Sequence, residues 1–395
     1  MKKILELPFR YKPWKPLHLR YIAQDLQGIS VQPPYPDATH LQAAIDWLCR
    51  AQDIRNGQPD EGGVSAGWSF EDGWLPSYPE TSGYIVETFL AASDLLDRTD
   101  LKERANRILD WELSIQNSDG SFPGHFGEPG SRPVIFNTGQ IIHGLVEGHQ
   151  KLNRSECLEA AIRAGQWMAQ QQDDDGCWRR SVHNGIPHTY NTRAAWGLLR
   201  AARAAGEKSL EQSARKNLDW ALTQQTKSGW FQNNAFTPNT PPFTHTIAYA
   251  IRGLLESGLI LGDDRMIDAS LKAASAQAKV QREDGFLAGT YADGWIPKSG
   301  YCCLTGLAQM SIIWLRATQT LDSGKDKLEK SAILGIGYLK SNHHITGKGD
   351  PRDGGIAGSA PIWGTYSRFE YPNWAAKFFA DALMIKMAKI SVPSD

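Results

Sequence analysis

Polar residues recur at matched places along this 395-residue chain, each time where an apolar helical segment begins. The sets are Glu80, Thr81 and Tyr84; Asn137, Thr138 and Gln140; His188, Tyr190, Asn191 and Arg193; Thr244, His245 and Tyr249; Ser299 and Tyr301; Tyr371 and Asn373. Histidine titrates near neutrality. Tyrosine serves as acid or base when a neighbouring cation lowers its pKa. His188, Tyr190, His245, Tyr249 and Tyr301 are therefore the candidates for proton transfer. Arg193 stands one turn inside an apolar helix (AAWGLL), and a buried guanidinium needs an anionic partner. That partner is either Glu80 or a carboxylate on the substrate. Glu80, Tyr84, Asn137, Gln140, Asn191, Arg193, Tyr371 and Asn373 form the candidate binding set, with Trp74 and Trp295 as loop aromatics able to stack on sugar rings. The plainer reading is that Thr81, Thr138, Thr244 and Ser299 cap helices, and that a single His on an apolar helix is a satisfied core residue.

Removing a proton next to a carboxylate takes a base on one face and a cation for the carboxylate. Epimerisation adds an acid on the opposite face. A ring of His, Tyr, Glu and Arg offers all three roles. Glycoside hydrolysis usually takes two carboxylates. Only Glu80, Asp72 and Glu370 fall close enough in the pattern, so hydrolysis ranks second. No CxxC, HExxH, GxGxxG or P-loop sequence is present, and the five cysteines (Cys49, Cys157, Cys177, Cys302, Cys303) are scattered. The expectation is chemistry without metal or cofactor. The enolate would be stabilised by Arg193 and by helix N-termini.

The elements that place these residues are repeats. The phrase Trp-x4-Gln-x3-Gly occurs at Trp111, Trp167 and Trp220; Trp47–Gln52 has its glycine displaced, and Gln281–Gly285 keeps the second half. Such periodicity marks one helical hairpin repeated around an axis. Outer helices are expected near 38–52, 101–116, 156–172, 208–225, 265–281 and 327–341. More apolar, inner helices follow near 80–96, 137–151, 189–205, 244–259, 300–318 and 372–389. The expected fold is a single-domain, all-α (α/α)6 toroid over residues 37–395, with an irregular arm at 1–36. Long loops lead into the inner helices and lie on one face, the longest (342–371) a possible lid. The repeat glycine is read as the helix C-cap, and the Trp as packing between hairpins.

Forty-two basic residues balance 43 acidic ones, which argues against nucleic acid as a partner. No apolar stretch approaches the ~20 residues of a membrane span. Sparse, odd-numbered cysteines fit a reduced compartment, so a cytoplasmic protein is expected; nothing fixes its oligomeric state.

The segments QNSDGSF, QQDDDGCW and QQTKSGWF resemble the repeat of squalene–hopene cyclases and of protein prenyltransferase β subunits. The resemblance implies an α/α toroid. The cyclase acid motif D-x-D-D is absent, as is D-D-x-x-D, so terpenoid cyclisation lacks its residues. YPETSGY, FNTGQ, HTYNTRAAWGLL and YPNW are similar to phrases in squalene-cyclase-like proteins encoded with bacterial exopolysaccharide genes. That likeness implies polysaccharide assembly or modification. Tyr78-Pro79-Glu80-Thr81, with a Tyr/His-bearing inner helix, resembles the helical domain of heparosan glucuronyl C5-epimerases. The reading that follows is a uronyl C5-epimerase acting on an oligo- or polysaccharide. Its rivals are a hydrolase or lyase, a terpenoid-type cyclase, and a non-catalytic glycan-binding protein.

Overall fold

Gln172 shows how the repeat phrase builds the ring. Its Nε2 donates to Gly176 O at 2.9 Å, closing its own turn, and to Ser213 O at 2.9 Å on the next outer helix. Gln116 does the same with Gly120 and Ala160, Gln225 with Gly229 and Ala269, and Gln281 with Gly285 and Ser331. Gln52 also makes both bonds, to Gly62 O at 3.0 Å and Arg104 O at 3.1 Å, despite its displaced glycine. One amide thus ties each of the first five outer helices to the next. Glycine is obligatory beside it. Gly176 has φ +87°, and a Cβ there would stand 2.2 Å from Lys216 O. Gly120, Gly176, Gly229 and Gly285 close the turn that follows the helix rather than forming its C-cap. The left-handed caps are on the inner helices, at Asp97, Asn153, Gly206 and Gly262.

The computed structural model describes residues 9–26, 35–128, 130–321, 324–347 and 349–388. Helix α1 spans Pro16–Leu26. The outer helices are α2 (Asp37–Asp53), α4 (Asp100–Ile115), α6 (Ser155–Gln170), α8 (Lys208–Thr223), α10 (Asp264–Val280) and α12 (Lys325–Ser341). The inner helices are α3 (Pro79–Leu96), α5 (Ile135–Leu152), α7 (Thr192–Ala205), α9 (Thr244–Leu261), α11 (Leu304–Thr318) and α13 (Asn373–Ala388). The inner six pack in chain order, and α13 returns to α3, so the ring is closed. This is an (α/α)6 toroid. Small residues let the inner backbones meet: a Cβ on Gly144 would lie 2.0 Å from Gly83 O.

Three features differ from expectation. Among the outer helices, each inner helix packs mainly against the one that follows it, because two or three residues join most such pairs; α2 is left to pack against α13. Residues 16–26 form a helix, not an irregular arm; Tyr21 donates to Asp350 Oδ1 at 2.7 Å and His18 stacks on Phe70. The loops carry short strands. β1 (Gly67–Ser69) pairs with β2 (Gly73–Trp74) and with β7 (Glu370–Pro372), clasping the first loop to the last. β3 (Tyr291–Ala292) pairs with β4 (Ile296–Pro297), and β5 (Cys302–Cys303) with β6 (Ser359–Ala360). β5 delays the start of α11 to Leu304. The expected boundary at 395 lies outside the described residues. None of the described helices is long and apolar enough to cross a membrane.

Candidate functional site

All six inner helices start at the loop face, so side chains in their first turns point toward one bowl. A cavity of about 320 Å³ lies there, near the lower end of ligand-site volumes. Tyr78, Glu80, Tyr84, Asn137, Tyr190, His245 and Tyr249 line it, with Phe136, Phe236, Phe243, His183, Thr365, Tyr366 and Trp374. A broader groove of about 700 Å³ between α8 and α10 lies on the outer wall, open to solvent and remote from these residues.

Glu80 enters the first turn of α3 behind Pro79, which is pre-set for a helix start. Tyr78 donates to its Oε2 at 2.9 Å. Burial raises its pKa to about 7, against the pull of Tyr78 and the attraction of Arg193. Across the cavity, α9 supplies His245, whose Nδ1 lies 2.8 Å from Gln309 Oε1 on α11. Read as Nδ1–H donating to that oxygen, the bond leaves Nε2 unprotonated. Burial depresses the His245 pKa to about 3, so the imidazole is neutral. Its ring is 4.3 Å from that of Tyr249 and 5.0 Å from that of Tyr366. The hydroxyls of Tyr84 and Tyr249 are buried and near each other, and neither makes a well-formed hydrogen bond to any other group. Burial pushes both phenols up in pKa. Phe136 packs edge-on against Tyr190 at 5.1 Å and close to Tyr249 at 4.9 Å, giving one aromatic wall.

Arg193 lies behind this lining and is fully buried. Its Nε donates to Gln140 Oε1 at 2.7 Å, and its two terminal nitrogens have no partner. It makes no ion pair with Glu80 within 4.0 Å. Its guanidinium faces Trp196, Tyr249, Phe378 and Tyr84 at 5.2 to 5.8 Å.

Several candidate residues stand elsewhere. His188 stacks on Tyr190 at 4.4 Å, with Nε2 2.8 Å from His183 O, so it supports the wall from outside; burial lowers its pKa to about 4. Asn191 ends the single 3-10 turn Thr189–Asn191 before α7 and does not reach the cavity. Tyr301 is one step removed, its hydroxyl 2.6 Å from the cavity residue Thr365. Trp74 packs on Trp47, and Trp295 donates to Ser228 O at 2.9 Å beside Trp230. Both close the loop layer. Tyr371 sits in β7 opposite Trp68. Asn373 Nδ2 donates to Ser65 O and to Thr81 Oγ1, stitching the last inner helix to the first. Asp72 and Glu370 belong to the seam strands' surroundings, not the cavity. The threonines expected as caps bond to neighbouring segments instead, as Thr244 Oγ1 does to Ala288 O.

Tyr78, Tyr366, Thr365 and Trp374 were missed. Tyr78 and Trp374 adjoin recognised residues, and the other two come from the long glycine-rich loop, whose path no periodicity reveals. Among the described residues no three His, Cys, Asp or Glu side chains gather as a metal site.

The family model for the squalene–hopene cyclase C-terminal domain matches residues 76–255. The squalene–hopene cyclase of Zymomonas mobilis is 24% identical over 304 residues, which cover 70% of this chain. The chain spans only 43% of that relative's length. In structure, the chain is similar to an unsaturated glucuronyl hydrolase from Bacillus sp. GL1 (15% identity, TM-score 0.67, covering 88% of this chain and 96% of the other). It is likewise similar to the cellobiose 2-epimerase of Bacillus thermoamylovorans (12% identity, TM-score 0.68, 92% and 97%). A sugar epimerase from a ruminal bacterium matches at 16% identity and TM-score 0.69, over 94% and 100%. The chain therefore has the α/α toroid shared by these enzymes, with sequence likeness to squalene–hopene cyclases.

Proposed function

We propose that the protein is a carbohydrate-active epimerase that exchanges the proton at C5 of a uronate residue in an oligo- or polysaccharide. The observation that carries this is the placement of acid/base groups on opposite walls. α3 and α9 are three steps apart in a ring of six, so Glu80 and His245 face each other across the bowl. Epimerisation needs that arrangement, with removal from one face and return from the other. His245, neutral and backed by Gln309, takes the C5 proton, and the electron pair moves into the carboxylate as an enolate. Glu80, protonated up to near neutrality and held by Tyr78, returns a proton to the opposite face of C5. Solvent then resets both groups. The Arg193 charge behind Tyr84 and Tyr249, with the converging helix N-termini, favours the enolate.

The cavity lining contains one carboxylate, Glu80, which weighs against a two-carboxylate hydrolase. A terpenoid-type cyclase is the second reading, favoured by the family match and the aromatic lining; it lacks the D-x-D-D acid. The sugar epimerases and glucuronyl hydrolases on the same toroid support a carbohydrate substrate. The test is incubation with candidate uronate polymers in D2O. Deuterium at C5 without chain cleavage supports the epimerase. Unsaturated uronate products, or new reducing ends without exchange, replace it with a lyase or a hydrolase.

A further inference from the structure

The core of the inner ring is charged, and its charges do not all have partners. Arg200 bonds to Glu87 and Glu147, Arg316 to Glu256, and Lys377 to Asp381. Arg252 reaches Glu256 only at 3.6 Å, and its Nε and Nη1 are buried without hydrogen bonds. Arg193 has no carboxylate within 4.0 Å among the described residues, although it is fully buried. These nine side chains comprise five cations and four anions. Leaving a guanidinium bare in a dry interior costs several kcal/mol.

Several buried atoms without hydrogen bonds lie around this one cation. Beside Arg193 Nη1 and Nη2 they include Gln140 Nε2, Tyr84 Oη and Tyr249 Oη, together with the Arg252 nitrogens. Gln140 holds the Arg193 Nε; Tyr84 and Tyr249 present their rings to its guanidinium; Arg252 lies over the other reach of Trp196 at 5.4 Å. All are N–H or O–H groups able to donate. Aromatic faces compensate part of the charge, but at 5.2 to 5.8 Å they lie toward the outer limit of cation–π contact and accept no N–H bond in the guanidinium plane. Water would satisfy donors without balancing charge. The two hydroxyls can accept as well as donate but carry no charge, so an excess of N–H donors and of cation around Arg193 is the imprint of an anion.

We propose that the ring axis beneath Tyr84 and Tyr249 binds a small monovalent anion, held by Arg193 with Arg252, Gln140 and the two tyrosine hydroxyls. The chemistry is that of a halide or a carboxylate, and the site lies behind the described cavity lining. It sets the position of the Arg193 guanidinium and the field under the two phenols. The inference concerns occupancy and not turnover; a substrate carboxylate at the site agrees with the epimerase reading, whereas a resident halide would offset the Arg193 charge that reading places behind the enolate.

The test is a crystal of the full chain grown in sodium bromide, with melting curves in bromide or methanesulfonate at equal ionic strength. A single buried anomalous peak within contact distance of Arg193 Nη1 or Nη2, and a melting temperature several degrees higher in bromide, are expected. Arg193→Met should remove both. An ordered water without anomalous signal, or bromide confined to the surface, overturns the proposal; this wild-type measurement stands even where the variant fails to fold. Adding glucuronic acid separates the sources. Displacement of bromide assigns the site to a substrate carboxylate, and co-binding assigns it to a resident halide. Loss of C5 exchange with bromide still bound would count against the epimerase alone.

Discussion

Gln140 on α5 accepts the Arg193 Nε from α7 at 2.7 Å, and that bond is the guanidinium's only hydrogen bond to protein among the described residues. The contact aims a buried cation at the back of Tyr84 and Tyr249 while leaving its outer nitrogens free. A structural arginine is normally neutralised by carboxylates, as Arg200 and Arg316 are deeper in the ring. Arg193→Met should therefore separate function from folding. Replacing a buried unpaired cation by an apolar chain is neutral or stabilising. Melting should stay level or rise, while deuterium exchange falls at least 10²-fold, since a charge that acts on the enolate has been removed. A melting loss with exchange intact would reverse the assignment.

Glu80 sets the expected pH dependence. Its pKa near 7 in the fold lies above the ordinary 4.5, because burial disfavours the carboxylate. As the proton donor it works below 7, so the rate should fall as pH rises through about 7. Its contribution to stability has the same sign: full below 4.5 and lost as pH climbs through 7. Glu80→Gln should remove the alkaline limb and lower the rate about 10²- to 10⁴-fold. The imidazoles do not supply this limb, because burial holds His245 near 3 and His188 near 4. A pH–rate profile of both proteins checks the assignment.

Glu112 on α4 is fully buried, and neither carboxyl oxygen has a partner. Burial alone raises its pKa well above the ordinary value. Its effect on stability is thus most favourable below 4.5 and declines as pH rises. Glu112→Leu should stabilise the ring by roughly 1–3 kcal/mol, the cost of a buried group lacking hydrogen bonds. The gain should widen with pH, as read by urea denaturation at pH 5 and pH 8.

The ring and its polar rim were legible because both follow from local chemistry. A Trp-x4-Gln-x3-Gly phrase announces its turn, and Glu80 and Tyr84 on α3 and His245 and Tyr249 on α9 occupy the first turns of apolar helices. What periodicity cannot carry is the direction of a loop. Trp74 and Trp295 looked like stacking platforms, yet strand pairing turns Trp74 onto Trp47, and Ser228 anchors the indole of Trp295. Asn373 resembled a binding residue because its real partners, Ser65 and Thr81, are about 300 residues away in sequence. Arg193 was visible as a buried charge, but its separation from Glu80 depends on how α7 packs two places from α3 in the ring, which no single helix reveals.

The seam of the ring offers the last prediction. In the sixth repeat the clasp residue is His343. Its Nε2 donates to Gly354 O at 2.8 Å, as each repeat glutamine donates to its glycine, and its Nδ1 meets Nδ1 of His40 on α2 at 2.7 Å. Because His343 Nε2–H is used on Gly354 O, its Nδ1 accepts and His40 Nδ1–H donates, so the contact requires the His343 ring to stay neutral. Burial lowers the pKa to about 3 for His343 and about 4 for His40, from 6.5. Lys340 opposes protonation of His40 and Asp37 favours it; Gly354 O favours the cation on His343, while His40 and His344 oppose it. A depressed histidine pKa gives stability that is present above 6.5 and lost as pH falls toward 4. The seam should therefore be acid-sensitive where the five glutamine clasps are not. His343→Gln restores the repeat residue: its amide can keep the bond to Gly354 O and offer an oxygen to His40. Melting curves from pH 7.5 to 4.5 should show a shallower acid decline for this variant than for the native chain. Equal slopes would mean that the histidine pair does not govern closure of the ring.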